Sequence, residues 1–316
     1  MNTQILKEIR KWNYILGGIL VVLVVLNIKL FFDFNSKASA TGDTLVKKYP
    51  YLASRVLTSF DRDLLVNFIP LRKQLREATK DYQETFALYF EYLPTGISIG
   101  INDRTEFYGA SLIKVPIAMA FLNFARRANL NIDQTVKISK MEINQDFGNL
   151  WKRGEGAEIS LREALKLALT ESDNTAALIL FFRVPEEDYK YIYENLDIEY
   201  IEDNNQVIIT TKGYASILKA LYFSSILHKE DSQYILELLT FSDYIDRIRA
   251  PIPKEITVAN KSGIFSKDLH QDCGIVYLPR RPYLLCMASL SSEEEAARRI
   301  QEVSRMVYQY ISHEEI

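Results

Sequence analysis

Residues 12 to 28, "WNYILGGILVVLVVLNI", carry no charge, and apolar character resumes past Lys29 in "LFF". That stretch is long enough to cross a hydrocarbon core. Lys7, Arg10 and Lys11 precede it and Trp12 and Tyr14 suit the interface, so the positive-inside tendency keeps the N-terminus cytoplasmic and exports the rest. Residues 1–34 therefore read as a cytoplasmic tip and single-pass anchor in the cell membrane, and 35–64 as an extracytoplasmic tether. The small-x-small tripeptide "ASA" at 38 to 40 offers the alternative of secretion after cleavage near Ala40. The apolar stretch exceeds a signal-peptide core of about 7 to 15 residues, which favours the uncleaved anchor.

Residues 65–316 have a different rhythm. A charged segment from 59 to 82 is helical in its second half, and "TFALYFEYL" and "GISIGIN" show the aromatic and β-branched enrichment of strands joined by the turn "PTG". Helical spacing then runs through 114 to 128, through "SLREALKLALTE" (160 to 171) with a capping-type serine and acid, and through "SDNTAALILFF". Further helices cover roughly 210 to 227 and 231 to 242. Strand patterns return at "ITVANKSGIF", "DCGIVYLP" and "PYLLCMASL", before the amphipathic "SEEEAARRIQEVSRMVYQYI". Strands at both ends with helices between predict an antiparallel sheet built by the termini and packed on a helical lobe. A cleft between the two layers is the natural place for a site.

Composition narrows the function by exclusion. The 316 residues carry a net charge of only −3, which gives no reason to expect nucleic acid as a partner. His228, His270 and His313 are scattered and show no metal-ligand spacing with the cysteines, so neither metal nor cofactor is expected. Cys273 and Cys286 fall on neighbouring strands, which would permit a disulfide, but buried free thiols are the expectation.

The segment "YGASLIKVPIAMAFL" (108 to 122) is electrostatically odd. Pro116 is tolerated only near a helix start, which puts that start close to Ser111. Taken alone, Ser111 reads as an N-cap, yet Lys114 stands where a capping box would carry Glu or Gln, and a helix N-terminus disfavours a cation. Two further motifs follow in order, Ser172-Asp173-Asn174 and Lys261-Ser262-Gly263. A lone S-x-x-K is expected about once by chance in a chain this long, whereas the fixed triplets are much rarer, so their order carries the case. The ordered set is a signature of class A β-lactamases and penicillin-binding proteins.

Over residues 65 to 316 the chain thus resembles the serine penicillin-recognising hydrolases, nearest to the class A β-lactamase catalytic domain. The resemblance implies an α/β sandwich, with a five-stranded antiparallel sheet, flanking helices and an all-helical lobe. It implies Ser111 as nucleophile, Lys114 as the base made neutral by burial beside a second cation, and Ser172 as proton relay to the leaving nitrogen. Asn174 would hold the substrate amide, and Lys261 and Ser262 its carboxylate. Gly263 would leave room for substrate along the strand edge, and the backbone N–H groups of Ser111 and Ile264 would form the oxyanion hole. Acyl transfer needs these parts: a nucleophile, a base, oxyanion donors and an acid for the leaving group.

The sequence also departs from that family. The loop pattern E-x-x-L-N, whose glutamate activates the deacylating water, is absent, and Glu187, Glu194, Glu199 and Glu202 lie in the corresponding segment without its context. Leu178 stands where the family carries a loop-bracing asparagine, and His270 and Gln271 stand where an arginine supports the substrate carboxylate. The leading expectation is a membrane-anchored serine hydrolase acylated by β-lactams or D-Ala-D-Ala-type peptides, with inefficient deacylation. An esterase or amidase on another envelope substrate, or a non-catalytic cell-wall-binding module, are the alternatives.

Overall fold

The computed structural model describes residues 65–203 and 206–313, together with the isolated positions 16, 20, 26 and 29. The anchor and tether expectations fall on a segment that otherwise lies outside the described residues. Among the described residues no helix is long and apolar enough to cross a membrane.

Five antiparallel strands form the central sheet, in the order β2-β1-β10-β9-β8. They are β1 (Phe86–Tyr92), β2 (Ile97–Ile101), β8 (Val258–Phe265), β9 (Leu269–Val276) and β10 (Tyr283–Leu290). All seven residues of β1 are buried, because both faces of the sheet are covered. Its side chains alternate accordingly. Phe86, Leu88, Phe90 and Tyr92 enter one core with α1 (Ile69–Ala78) and α8 (Glu293–His313), whereas Tyr89 faces the helical lobe. Helix α8 meets the sheet through Ile300, Val303, Val307 and Ile311, a spacing of three and four that makes one apolar stripe. Each such buried side chain contributes about 1.5–3 kcal/mol.

The lobe on the other face consists of α2 (Lys114–Arg127), α3 (Leu161–Thr170), α4 (Asn174–Phe181), α6 (Thr211–Phe223) and α7 (Lys229–Thr240). Helix α2 is buried without interruption from Lys114 to Leu122, which explains its nearly unbroken apolar sequence. The Ser160 hydroxyl accepts from the Glu163 N–H and starts α3, and the Asp173 carboxylate accepts from the Ala176 N–H and starts α4. Helix α6 stops at Ser224, which takes a left-handed conformation. Periodicity missed the short pieces: strand β3 (Glu106–Tyr108) pairs with β7 (Gln206–Thr210), which pairs with β6 (Ile201–Asp203). Helix α5 (Glu186–Glu194) occupies the acid-rich segment.

The free-thiol expectation is corrected. Cys273 and Cys286 stand directly opposite on β9 and β10 and form a disulfide. Opposite residues of an antiparallel pair point to one face at short range, and that register brings the two sulfurs together. Replacing both cysteines by alanine should lower the unfolding free energy by about 2–3 kcal/mol on the loop-closure scale. Urea unfolding under oxidising conditions checks it, and an unchanged midpoint would show that the strand pairing has no need of the bond.

Candidate active site

Strand β3 ends at Tyr108, and a tight 3-10 turn, Ala110–Ile113, carries the chain into α2. Ser111 lies in this turn and caps nothing, so the N-cap reading falls and α2 begins three residues later, at Lys114. Ala110 is held at φ 45°, a left-handed conformation that a residue with a Cβ adopts only when its surroundings enforce it. One enforcing contact comes from β8. A Cβ on Gly263 would lie 3.2 Å from the Leu112 side chain and 3.3 Å from the Gly109 carbonyl oxygen. Gly263 thus makes room for the serine-bearing turn.

The Lys114 side chain is buried (4% exposed) at the first position of α2. Its Nζ donates to the Ser172 backbone carbonyl, to Ser172 Oγ at 3.1 Å and to Asn174 Oδ1 at 2.6 Å. None of these acceptors is an ion. Burial, reinforced by the charge of Lys261 and only partly offset by Asp173, holds the amine well below the usual lysine range. A lysine that sheds its proton this readily can serve as a base at neutral pH. The amine makes no hydrogen bond to Ser111 among the described residues, although both line one cavity of about 480 Å³. Its lattice of contacts runs through Ser172 and Asn174 instead.

The second motif divides its labour. Ser172, at φ 57°, turns the chain so that its hydroxyl and its carbonyl both face Lys114. Asp173 is structural: one oxygen caps α4 and the other accepts from the Leu150 N–H at 2.8 Å. A Cβ on Gly148 would lie 2.0 Å from that carboxylate, so only glycine fits there, at φ 86°. The loop fixed in this way presents Asn144, whose Oδ1 accepts from Asn174 Nδ2 at 2.9 Å. Asn144 and Phe147 line the cavity beside Asn174, and Ile264 closes it from β8.

The third motif lies deeper than predicted. Lys261 is fully buried, near enough to Lys114 to perturb it, and its Nζ has no hydrogen-bond partner; the Tyr244 ring centroid lies 5.6 Å away. Alternation along β8 sends Ser262 to the opposite face, where its hydroxyl donates to Asp272 Oδ1 at 3.0 Å. Lys261 and Ser262 thus point to opposite faces, as adjacent residues of a strand do. Asp272 also accepts from Asn260 Nδ2 and from the Ile248 N–H. Beside it lies Arg247, 1% exposed, with Nε and Nη1 lacking hydrogen-bond partners among the described residues. Sequence reasoning missed Arg247, which no local pattern marks and which only the long-range packing of the 241–252 segment against β9 brings here.

Comparison with known proteins places this geometry. The family model described as "Beta-lactamase enzyme family" matches residues 70–311. The chain belongs to the β-lactamase enzyme family. A β-lactamase of Bacteroides uniformis is 24% identical over 250 residues, covering 67% of this chain and 82% of that one. The extended-spectrum β-lactamase PER-1 of Pseudomonas aeruginosa is 26% identical over 239 residues, covering 66% and 77%. Among solved structures, PBP-A superposes with a TM-score of 0.71 at 22% identity, covering 77% of this chain and 96% of that chain. A variant of PBP-A, equally similar, is an acyl-enzyme complex with penicillin G. This β-lactamase-like protein is a serine hydrolase.

Most acids of the 187–202 segment lie away from the cavity. Of Glu187, Glu194, Glu199 and Glu202, only Glu202 lines the cavity, and it accepts from the Tyr200 hydroxyl at 3.1 Å. Asp146 is the other carboxylate on that wall. Neither hydrogen-bonds to Ser111, Lys114, Ser172 or Asn174 among the described residues.

The buried cations leave a thermodynamic signature. Burial, partly offset by Asp272 and Asp243, brings Lys261 down to about 7. In the unfolded chain it stays charged to about pH 10.4, so the unfolded state binds more protons between these limits and stability rises with pH. Lys261→Met should reduce that rise between pH 7 and 9 by up to about 1 kcal/mol per pH unit. Urea unfolding at stepped pH reads it, and parallel curves for the two proteins would refute the assignment.

Proposed function

We propose that this protein is an acyl-serine enzyme of the cell envelope, acting on β-lactams or on the terminal amide of D-Ala-D-Ala-type peptides and releasing the acyl group slowly. The observation that carries it is Lys114: a buried amine with neutral acceptors only, on the same cavity wall as Ser111. In the reaction the Ser111 oxygen bonds to the carbonyl carbon as its proton passes to Lys114. The carbon–nitrogen bond then breaks, with a proton delivered to nitrogen through Ser172, which already touches Lys114. The backbone N–H groups of Ser111 and Ile264 receive the oxyanion. Lys261, a buried amine whose Nζ has no hydrogen-bond partner among the described residues and which lies close enough to Lys114 to perturb it, would attract the carboxylate of the substrate.

The cavity lining supports slow release, since Leu178 and Ala177 offer no base for a water and Asp146 and Glu202 make no hydrogen bond to the lysine network among the described residues. The apolar stretch 12–28, which resumes past Lys29 in "LFF", supports the envelope assignment: it would anchor the chain, with the catalytic domain outside.

A penicillin pulse followed by a chase, analysed by mass spectrometry, tests the reading. The intact protein should gain one acyl group on Ser111 that persists for minutes, and Ser111→Ala should gain none. Lys114→Ala should acylate about 10²–10⁴-fold more slowly, the usual weight of a positioned base. An adduct that vanishes within the dead time would make the protein an efficient β-lactamase instead.

A further inference from the structure

The peptide between Tyr108 and Gly109 is the last of β3 before the turn that carries Ser111. Its carbonyl and its N–H point in opposite directions, as in any trans peptide, and each is held by a different sheet. The Gly109 N–H donates to the carbonyl of Val207 in β7 at 2.7 Å. The Tyr108 carbonyl accepts from Gln271 Nε2 at 2.8 Å, and Gln271 belongs to β9 of the five-stranded sheet.

Gln271 crosses β8 to reach that carbonyl. It stands opposite Gly263 in the β8–β9 register, and a Cβ on Gly263 would lie 3.4 Å from Gln271 Nε2. The missing side chain lets the amide pass, and Gln271 is buried along this path. The next pair in the register is Ile264 with His270. One glutamine thus ties the β8–β9 hairpin, which supplies the Ile264 N–H, to the turn that supplies the Ser111 N–H. The Leu112 N–H closes that turn on the Gly109 carbonyl at 2.9 Å, so any rotation of the clamped peptide is passed on to Ser111.

We infer that Gln271 is a positioning residue for the oxyanion hole: by holding the Tyr108–Gly109 peptide, it sets the Ser111 N–H relative to the Ile264 N–H. The inference rests on the acyl-serine reading and adds a residue to it. Gln271 does not line the cavity and acts only through the backbone. Without its amide, β3 keeps the Gly109–Val207 bond and the contact of the Tyr108 and Phe265 rings, whose centroids are 4.3 Å apart. The strand then stays attached while the peptide is free to turn. Catalysis is sensitive to such a turn: loss of one oxyanion donor costs about 10²–10³-fold in rate, and a misplacement of about 1 Å costs about 10²-fold.

Two measurements test this: the rate constant of acylation by penicillin, and the affinity of phenylboronic acid, whose boron bonds to the Ser111 oxygen and places its own oxygen in the hole. In Gln271→Leu both should fall by one common factor, about 10- to 100-fold. Non-covalent penicillin binding, measured in a Ser111→Ala background, should stay unchanged. Gln271→Glu can donate only while its carboxyl is protonated, so its acylation rate relative to the unchanged protein should fall as pH rises. That variant also decides the matter if Gln271→Leu fails to fold. An acylation rate or a boronate affinity untouched by Gln271→Leu, an equal loss of non-covalent binding, or a pH-independent ratio for Gln271→Glu would overturn the positioning role while the Ser111 adduct still forms. Absence of that adduct in the unchanged protein would overturn the acyl-serine reading instead, and boronate affinity would then decide the role of Gln271 on its own. Absence of both adducts would overturn both.

Discussion

An ammonium group buried without a carboxylate partner is the constraint around which this site is organised. Removing a charge from water costs several kcal/mol unless a counter-ion or several hydrogen bonds compensate, and the cheaper outcome is loss of the proton. Lys114 has only neutral oxygens to donate to, and a second buried lysine stands behind it. Each acceptor must therefore be aimed with care. Ser172 supplies two of them from one residue by adopting a left-handed backbone, and Asn174 supplies the third while its amide nitrogen is occupied by Asn144. A carboxylate in any of these places would hold the proton on the lysine and remove the base.

The scaffold is arranged so that this cost is met by ordinary packing elsewhere. Both faces of the sheet are covered, β1 buries every residue, and α2 descends into the lobe with apolar side chains on all sides. Rigid elements then impose the strained pieces: the Ala110 turn is pressed against β8 where Gly263 lets the two backbones approach, and the Asn144–Leu150 loop is pinned on Asp173 where Gly148 admits the carboxylate. The two glycines do the same job at opposite sides of the cavity. Neither touches the reacting groups, yet both fix the distance between the elements that do.

What was legible in the sequence follows from what is local. Every long helix but α5 and the strands with aromatic or β-branched runs declared themselves by period, and the first two motifs singled out Ser111, Lys114, Ser172 and Asn174 because each motif sits at an element boundary with its own sequence signature. Strands β3, β6 and β7, three to five residues each, carry too few positions for alternation to register. The direction of Ser262, the disulfide and the arrival of Arg247 beside Asp272 depend on strand register or on packing between distant segments. A motif names the residues, whereas alternation along β8 decides which face each one serves.

The cavity beside Ser111 holds two carboxylates, Asp146 and Glu202, but neither joins the lysine network by a hydrogen bond among the described residues, and much of the remaining lining is apolar. Hydrolysis of an acyl-serine needs a water held by a proton acceptor on the cavity side of the ester. Here the cavity is lined by Leu178, Phe181, Tyr189 of α5 and Tyr200 just before β6, with Glu202 turned to Tyr200. Apolar walls neither orient a water nor accept its proton, but they do reward burial of an apolar group.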